Sequence, residues 1–441
     1  MIKTLQDSII KVFTENINSY YSDYLNIKEK VKNSSAIYRG EPVDFLYHAL
    51  FFTEEEYNQL GRFLSEMTSI LNKVIEEYKK NTEFRKAFAF SEFLEELILV
   101  ETGYHYYFPI GRFDIFYNDN GSHVFCELNT DGSSAMNEVR VIGECIKNSR
   151  IIGDIFEDPD VLIGFELFYS WLDGLIENYK VFNNGIDDRP NIAIVDFTGD
   201  GTIHEFKEFQ KRFIKKGYNT FLCDPREFIY KNNVLYYKEQ PVKLIYRRAT
   251  TNRILEEAGD ITDFLNAYRE GAVCVVGGFV SQIVHSKNLF AILHDRDKTS
   301  FLSEKEKEFI KKHIPYTRIL DSNDGKMIEE ISSNKDKWIL KPFDEYAGKG
   351  VYAGKDYSQE EWKKILGSIR GNDYILQEYI NGPVLDMVNP GEKKKIDSFN
   401  FLIGLFTYNN KLAGLYTRAG RKNIIGSIAE SFTVPNFIVR G

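Results

Sequence analysis

Cysteine is scarce in this sequence of 441 residues, and long apolar runs are missing. The cysteines have no CxxC spacing, which argues against a disulfide framework and against a zinc site. They are Cys126, Cys145, Cys223 and Cys274. The longest apolar stretch, residues 271–280, contains three glycines and is far shorter than the roughly 18 residues of a membrane-spanning helix. We therefore expect a soluble, cytoplasmic protein with reduced thiols and no membrane partner.

An excess of positive charge is also lacking, since 56 Lys and Arg residues stand against 65 Asp and Glu residues, for a net charge of −9. Such a surface repels phosphate backbones, so nucleic acid is not an expected partner. Asp7 and Lys11 interrupt the first apolar positions, which excludes the apolar core of a signal peptide. The absence of HExxH, GxSxG and GxxxxGKS/T motifs argues against a zinc hydrolase, an α/β-hydrolase and a Walker A loop.

Apolar periodicity divides the chain into four predicted regions. Residues 1–104 are expected to be helical, with a capping box at Thr53 and Glu56. Residues 105–185 are expected to form a β-hairpin followed by helices over 134–146 and 159–179. Residues 186–282 are expected to form a small parallel-sheet unit, and residues 283–441 an α+β part. The elements expected in these last two regions are strands 192–196, 220–223, 272–276, 338–341, 374–379, 399–408 and 412–417, and helices 203–216, 254–268, 284–293, 304–313 and 360–369.

The predicted hairpin over residues 111–129 brings two carboxylates face to face. With Asn120 and Gly121 as its turn, the pairs on one side are Arg112 with Asn129, Asp114 with Glu127, and Phe116 with Phe125. The other side carries Phe113, Ile115, Cys126 and Leu128. Opposed carboxylates are destabilising unless a cation lies between them, and Mg²⁺ favours carboxylates with an amide oxygen. This face therefore predicts a magnesium site with Arg112 beside the bridged phosphates; the alternative is a surface hairpin with solvated charges.

A second motif is a strand that ends in Lys341 and runs into a loop with Gly348, Lys349 and Gly350. Close glycines let backbone N–H groups approach phosphate oxygens, while an ammonium group meets them as a point charge. The pattern predicts a phosphate-binding loop, and the alternative is a turn with an exposed lysine.

A third motif is the predicted strand 374–379, in which Gln377 and Glu378 interrupt an apolar run. A strand edge of this kind can bind an adenine and its ribose, with Ile380 and Leu340 as apolar walls. The alternative is a capped strand with a solvated glutamate.

Together these segments resemble a circularly permuted ATP-grasp ligase, most similar to the synthetase domain of glutathionylspermidine synthase. The first matching passage is Arg112-Phe-Asp114 followed by residues 127–138, ELNTDGSSAMNE. The other matching passages are the lysine-bearing helix 280–293, the Lys341-Pro and Gly348-x-Gly350 loop, the Gln377-Glu378-Tyr379 hinge, and Thr417-Arg418 with residues 431–435. The hairpin precedes the glycine loop, which is the permuted order. Lys349 stands where that family's lid has an arginine, and Asp131-Gly-Ser-Ser134 replaces its usual Asp-x-Pro-Thr.

The resemblance implies a mixed α+β and α/β fold of the permuted ATP-grasp type. In this fold the four regions are an N-terminal helical region, a metal-binding hairpin with helices, a Rossmann-like pre-ATP-grasp substrate unit and the nucleotide-binding lobes. The implied activity is that of an ATP- and Mg²⁺-dependent carboxylate–amine ligase, which forms an amide through an acyl phosphate from small-molecule substrates. The alternatives are an amino-acid or peptide ligase of the ATP-grasp type and a non-catalytic ATP-binding protein, and the oligomeric state is open.

The resemblance also implies roles for individual residues. Asp114, Glu127 and Asn129 would bind Mg²⁺. The implied ATP-binding residues are Lys287, Lys341, Gly348, Lys349, Gly350, Gln377, Glu378 and Ile380, with Lys298 as the competitor of Lys287. Arg112 and Arg418 would steady the transferring phosphoryl group and the tetrahedral intermediate, and Arg247 and Arg248 are candidate clamps for a substrate carboxylate. Ser134 and Glu138 either touch a substrate or lie in the cap and first turn of the next helix.

Overall fold

The computed structural model describes residues 2–118, 120–186, 188–344, 348–369, 373–392, 395–426 and 430–440. Its first region contains α1 (Lys3–Glu15), α2 (Ile17–Lys32), β1 (Ile37–Tyr38), β2 (Glu41–Pro42), β3 (Leu50–Thr53), α3 (Glu54–Lys80), α4 (Thr82–Arg85) and α5 (Glu92–Leu99). The predicted capping box is confirmed, since Thr53 Oγ1 accepts from Glu56 N at 3.1 Å and Glu56 Oε2 accepts from Thr53 N at 2.9 Å. The buried side of α3 packs into a hydrophobic core that also includes residues from the three later regions.

The predicted hairpin is present in the second region. Its elements are β4 (Ile110–Phe116), β5 (Val124–Asn129), α6 (Met136–Lys147), α7 (Arg150–Ile155), β6 (Leu162–Ile163) and α8 (Tyr169–Phe182). The expected helix over 159–179 is wrong in its first half, because residues 162–163 pair with residues 438–439 as a strand and α8 begins only at Tyr169.

The third region contains the predicted parallel sheet. Its elements are β7 (Ile192–Val195), α9 (Ile203–Lys215), β8 (Thr220–Cys223), β9 (Phe228–Lys231), β10 (Val234–Tyr237), β11 (Gln240–Val242), β12 (Leu244–Arg247), α10 (Thr251–Glu256), α11 (Thr262–Arg269) and β13 (Cys274–Val276). The strand order is β13-β12-β7-β8, and the pairs are parallel. The predicted helix 254–268 is two helices, α10 and α11.

Strands β9 to β12 were not predicted. The turns of the β9-β10-β11 meander use Asn232-Asn233 and Lys238-Glu239, which all have positive φ angles between 48° and 63°. Hairpin turns of this geometry usually contain glycine, so the sequence lacks the usual signal. Strand β12 follows directly on the meander, and its pairing with β7 is a tertiary contact.

The fourth region holds two further sheets. Its elements are α12 (Gln282–His285), α13 (Asn288–His294), α14 (Glu304–His313), β14 (Thr317–Ile319), α15 (Gly325–Ser333), β15 (Trp338–Pro342), β16 (Tyr352–Ala353), α16 (Gln359–Ser368), β17 (Tyr374–Glu378), β18 (Val384–Val388), β19 (Ile396–Tyr408), β20 (Lys411–Gly420), β21 (Phe432–Val434) and β22 (Asn436–Val439). Strands β14-β17-β15-β16 form an antiparallel sheet, on which Trp362 and Leu366 of α16 pack. The predicted helix 284–293 is interrupted between α12 and α13, where Lys287 N donates instead to Phe343 O at 2.9 Å.

A six-stranded sheet joins the predicted hairpin to the last part of the chain. Its order is β21-β20-β19-β4-β5, with β18 also paired to β19. Strand β4 is therefore internal, and its Ile115 lies opposite Ile403 of β19. One face of this sheet is apolar and contributes Phe113, Ile115 and Ile403 to the core shared with α3. The opposite face is free to hold polar groups.

The described helices include none with the length and apolar character needed to cross a bilayer.

Two buried ion pairs connect the parallel sheet to the segment after the hairpin. Arg247 Nη1 lies 2.8 Å from Asp131 Oδ1, and Arg248 Nη2 lies 3.2 Å from Glu205 Oε1. Glu205 Oε2 also accepts from the backbone N–H groups of Ala135 and Asn137, both at 3.1 Å, at the beginning of α6. Arg247 and Arg248 are thus paired within the chain and, in this state, are not free carboxylate clamps. Glu205 accepts from the first N–H groups of α6, so of the two alternatives for Ser134 the helix cap is wrong.

We expect Glu205→Ala to lower the free energy of unfolding by about 3–5 kcal/mol, because it leaves a buried guanidinium and two N–H groups at a helix start without their acceptor. Urea denaturation measures this change. The control is Lys207→Ala on the exposed side of the same helix, which should change stability by less than about 0.5 kcal/mol. Equal, small effects of both substitutions would contradict this account of the junction.

Candidate functional site

The polar face of the six-stranded sheet begins with the predicted hairpin pairs. Arg112 pairs with Asn129 and Asp114 with Glu127, as predicted. The third predicted pair is wrong, because a bulge between Asp114 and Ile115 places Phe116 opposite Val124. The same bulge turns Phe125, rather than Cys126, into the core: Phe125 is fully buried there and Cys126 is only partly buried.

Asp114 is the centre of a hydrogen-bond network on this face. Its carboxylate accepts from Arg112 Nε at 2.8 Å, from Arg418 Nη2 at 2.6 Å and from Asn129 Nδ2 at 3.2 Å. The Asp114 side chain is only 1% exposed, so two cations compensate one buried anion. Arg418 belongs to β20, two strands away from β4, and its Nε is buried without a hydrogen-bond partner among the described residues.

Two lysines lie at the β5 side of the same face. Lys287 Nζ lies 2.9 Å from Glu127 Oε1, while Lys341 Nζ donates to Gln377 Oε1 at 2.7 Å and to Cys126 O at 3.1 Å. Burial alone would raise the pKa of Glu127, but the neighbouring lysines hold it well below its usual range. Burial lowers the pKa of Lys341. Lys298 instead pairs with Asp295 in a largely exposed position, so the structure brings Lys287 to this face and not Lys298.

The glycine loop begins beside these lysines. Gly348 and Gly350 both have positive φ angles, 82° and 69°, and Lys349 between them is exposed. A Cβ at Gly350 would lie 3.0 Å from Tyr374 Oη and 3.3 Å from Pro342 Cγ, so the turn passes close to β15 and β17. Residues 345–347 of the loop lie outside the described residues.

The predicted hinge residues Gln377, Glu378 and Ile380 differ in whether their side chains are accessible. Gln377 is 2% exposed; its amide oxygen accepts from Lys341, and its Nε2 donates to Thr317 Oγ1 at 2.9 Å. Its side chain therefore holds Lys341 rather than facing a ligand. Glu378 is exposed and Ile380 is partly exposed at the end of β17, so these two remain accessible.

Sequence reasoning missed a group that ties the glycine loop to α12. Asp344 accepts from Gln282 Nε2 at 2.5 Å, and its other oxygen lies 3.5 Å from His285 Nε2. Burial lowers the pKa of His285, but Asp344 outweighs burial and raises it. The available signal was the position of Asp344 three residues after Lys341, and of Gln282 and His285 shortly before Lys287.

The polar face also requires one residue without a side chain. Gly404 of β19 lies opposite Asp114, and a Cβ there would stand 2.6 Å from Arg112 Cδ and 2.9 Å from Asp114 Oδ1. Only glycine at position 404 of β19 leaves room for the Arg112 side chain to reach the Asp114 carboxylate on its own strand, β4.

Mg²⁺ was predicted to bind at Asp114, Glu127 and Asn129. Carboxylate and amide oxygens fit this cation chemically. In the part of the chain that the structure describes, however, no group of three or more Asp, Glu, His or Cys side chains forms a preformed metal cage. Asp114 is instead neutralised by Arg112 and Arg418, and Glu127 by Lys287.

Comparisons with known proteins agree with this architecture. A family model described as the tubulin-tyrosine ligase family matches residues 280–394. No curated protein sequence matches the chain. The solved structure of a glutathione synthetase-like effector from Globodera pallida is similar with a TM-score of 0.62 and 11% identity, covering 95% of this chain and 96% of that chain.

Two further solved structures are less similar. A putative gamma-glutamylcysteine synthetase from Methylobacillus flagellatus KT has a TM-score of 0.43 and 12% identity, over 85% of this chain and 87% of that chain. D-cycloserine synthetase DcsG has a TM-score of 0.30 and 9% identity, over 56% of this chain and 91% of that chain. These two add no support, but the likeness to the effector extends over nearly the whole length of both chains. The predicted mixed α/β fold class is confirmed, and the fold is similar to that of the glutathione synthetase-like effector.

We expect Gly404→Ala to lower the free energy of unfolding by about 1–3 kcal/mol, because the added methyl group pushes Arg112 away from Asp114. Gly61→Ala is the matched control, since a Cβ at this position in α3 meets nothing within 4 Å. It should raise stability by up to about 1 kcal/mol through helix propensity. Urea denaturation of both variants checks the opposite signs, and a stabilising effect at position 404 would contradict the close approach.

Proposed function

We propose that this chain is an ATP- and Mg²⁺-dependent carboxylate–amine ligase with the circularly permuted order of an ATP-grasp enzyme. The observation that supports this most is the convergence of distant segments on one sheet face. Arg112 belongs to β4 and Arg418 to β20. Glu127 of β5 forms an ion pair with Lys287, which lies between α12 and α13. Cations and carboxylates in one contact network suit a polyphosphate bound with a divalent cation.

Lys287 and Lys341 are the proposed phosphate ligands. Both ammonium groups are engaged by oxygen atoms of the protein, so a triphosphate would exchange with Glu127, Cys126 O and Gln377 for these donors. The turn at residues 348–350 would add backbone N–H groups, as glycines with positive φ angles allow. Glu378 and Ile380 are proposed to contact the adenosine, and Gln377 to act by orienting Lys341.

Glu127 and Asn129 are two of the proposed metal ligands; Asn129 Nδ2 donates to Asp114, so its amide would have to turn to offer an oxygen to Mg²⁺. Mg²⁺ held there would supply positive charge against the phosphates. Asp114 is the third proposed ligand, and it also fixes the two arginines. Those arginines, held in place before substrate binds, would stabilise the negative charge of the transferring phosphoryl group and of the tetrahedral intermediate with little reorganisation.

The proposed reaction has two steps. An oxygen of the substrate carboxylate attacks the γ-phosphorus, which gives an acyl phosphate and ADP. An amine nitrogen then attacks the acyl carbon, and the C–O bond to phosphate breaks. Alignment of the reactants and neutralisation of charge supply most of the rate in such a site.

The substrates are proposed as a small carboxylate and an amine, in the manner of glutathionylspermidine synthase. A second candidate, an amino-acid or peptide ligase, is favoured by the names of the matching tubulin-tyrosine ligase family and of the similar glutathione synthetase-like effector. Measuring ADP release from ATP and Mg²⁺ across amino acids, glutathione and polyamines separates the two. Binding of ATP without ADP release on any pair would instead indicate a non-catalytic ATP-binding protein.

We expect Lys341→Met to weaken binding of the non-hydrolysable analogue AMP-PNP by about 10- to 100-fold, because it removes a charge-assisted hydrogen bond to phosphate. Titration calorimetry with Mg²⁺ present measures the dissociation constant. Lys298→Met, which removes a largely exposed lysine away from the polar face, is the control and should leave the affinity unchanged.

A second substitution tests the metal assignment. Glu127→Gln should remove most of the difference between AMP-PNP affinities measured with and without Mg²⁺, because a neutral amide is a weaker ligand for a hard cation. The same calorimetric titration reports this difference. A metal effect of wild-type size in this variant would exclude Glu127 as a ligand.

A further inference from the structure

Glu138, in the first turn of α6, is a partly buried carboxylate that the proposed reaction has not yet used. Its Oε2 accepts from Tyr416 Oη at 2.7 Å and from Thr433 Oγ1 at 3.3 Å. Its backbone position gives no capping role, because Glu205 accepts from the N–H groups at the start of α6. Residue 138 as a whole is partly exposed.

Tyr416 connects Glu138 to the two arginines. The Arg112 guanidinium lies 5.4 Å from the centre of the Tyr416 ring, and the Arg418 guanidinium lies 5.9 Å from it. Gly404 stands between Tyr416 and Asp114 in one cross-strand row. Glu138, the arginines and Asp114 therefore share the polar face of the six-stranded sheet.

The charged groups follow one another across this face. Lys287 and Glu127 lie at the β5 edge, Arg112 and Asp114 lie on β4, and Arg418 and Tyr416 lie on β20. Glu138 lies at the opposite end from the lysines, against Tyr416 of β20 and Thr433 of β21. If phosphates bind at the lysines and the acyl group at the arginines, the nucleophile approaches from the end that bears Glu138.

We propose that Glu138 binds the ammonium group of the amine substrate and is the general base that removes its first proton. A carboxylate at this end selects a cationic acceptor over an anionic or neutral one. Tyr416 and Thr433 donate to one carboxylate oxygen, which leaves the other to accept from the ammonium. This inference rests on the proposed ligase function and names the acceptor class of the same site.

One ammonium proton passes to a Glu138 oxygen, and the freed nitrogen lone pair forms the C–N bond with the acyl carbon. The C–O bond to phosphate breaks, and the second proton lost by the nitrogen leaves with the phosphate as hydrogen phosphate. Glu138 then returns its proton to solvent.

The surroundings of Glu138 suit a proton acceptor. Burial raises the pKa of its carboxyl and the nearby Glu205 carboxylate adds to this, while the Tyr416 hydroxyl, Arg112 and Arg418 oppose it. A carboxylate with a raised pKa is a stronger base than one in water.

The activity test uses two acceptors with Glu138→Gln. Glycine and spermidine carry ammonium groups that must lose a proton, whereas hydroxylamine is mostly unprotonated at neutral pH and traps an acyl phosphate as a hydroxamate. With each amino acid and glutathione as carboxylate donor, we expect the variant to lose about 10²- to 10⁴-fold in amide formation while it retains hydroxamate formation. Glu144→Gln, on the exposed side of the same helix, is the control and should retain both.

A binding test does not depend on turnover. Propylammonium chloride, compared with potassium chloride, should raise the melting temperature of the wild type with AMP-PNP bound, and this shift should vanish in Glu138→Gln but not in Glu144→Gln. An equal shift in wild type and Glu138→Gln, or none in wild type, overturns the inference. Equal loss of amide and hydroxamate also overturns it, because that result indicates a structural role.

Failure of the ligase proposal itself is distinguishable. It would appear as a wild type that forms no hydroxamate with any donor. In that case the propylammonium shift alone decides whether Glu138 is an ammonium site.

Discussion

The site depends on one buried carboxylate, that of Asp114. An anion almost wholly removed from water must be compensated, and the groups that do so are Arg112 on its own strand and Arg418 on β20. This requirement fixes the relative position of two segments that are far apart in sequence. It also explains why β19 between them has Gly404, since any larger residue would occupy the space through which Arg112 reaches the acid.

Much of this arrangement could be predicted from sequence, and the reason is local. The side-chain period of two places Arg112, Asp114, Glu127 and Asn129 on one face of the hairpin, as the sequence predicts. Helix α14 and strands β15, β17, β19 and β20 also follow from apolar patterns, and α14 begins with a capping box. The bulge after Asp114 was missed because it changes the register without any proline or glycine to mark it.

What could not be predicted is determined by contacts between distant residues. Arg247 and Arg248 have the residue type of a substrate clamp, but Asp131 and Glu205, which neutralise them, are brought close only by folding. Gln377 has the residue type of a ligand contact, yet Lys341 uses its amide oxygen. In both cases the residue type indicated a charged or polar partner correctly, and the partner was a side chain of the same molecule rather than a ligand.

Strand β22 lies between β3, with which it pairs in parallel, and β6, with which it pairs antiparallel. Arg418 and β22 are synthesised long after β3 and β4. Most of the chain has therefore left the ribosome before Arg418 can pair with Asp114 and β22 can pair with β3. Until then Asp114 has Arg112 as an arginine partner but not Arg418, and the edge of β3 is unpaired. Exposed strand edges of this kind favour misassembly of a nascent chain, and non-local strand pairing is intrinsically slow.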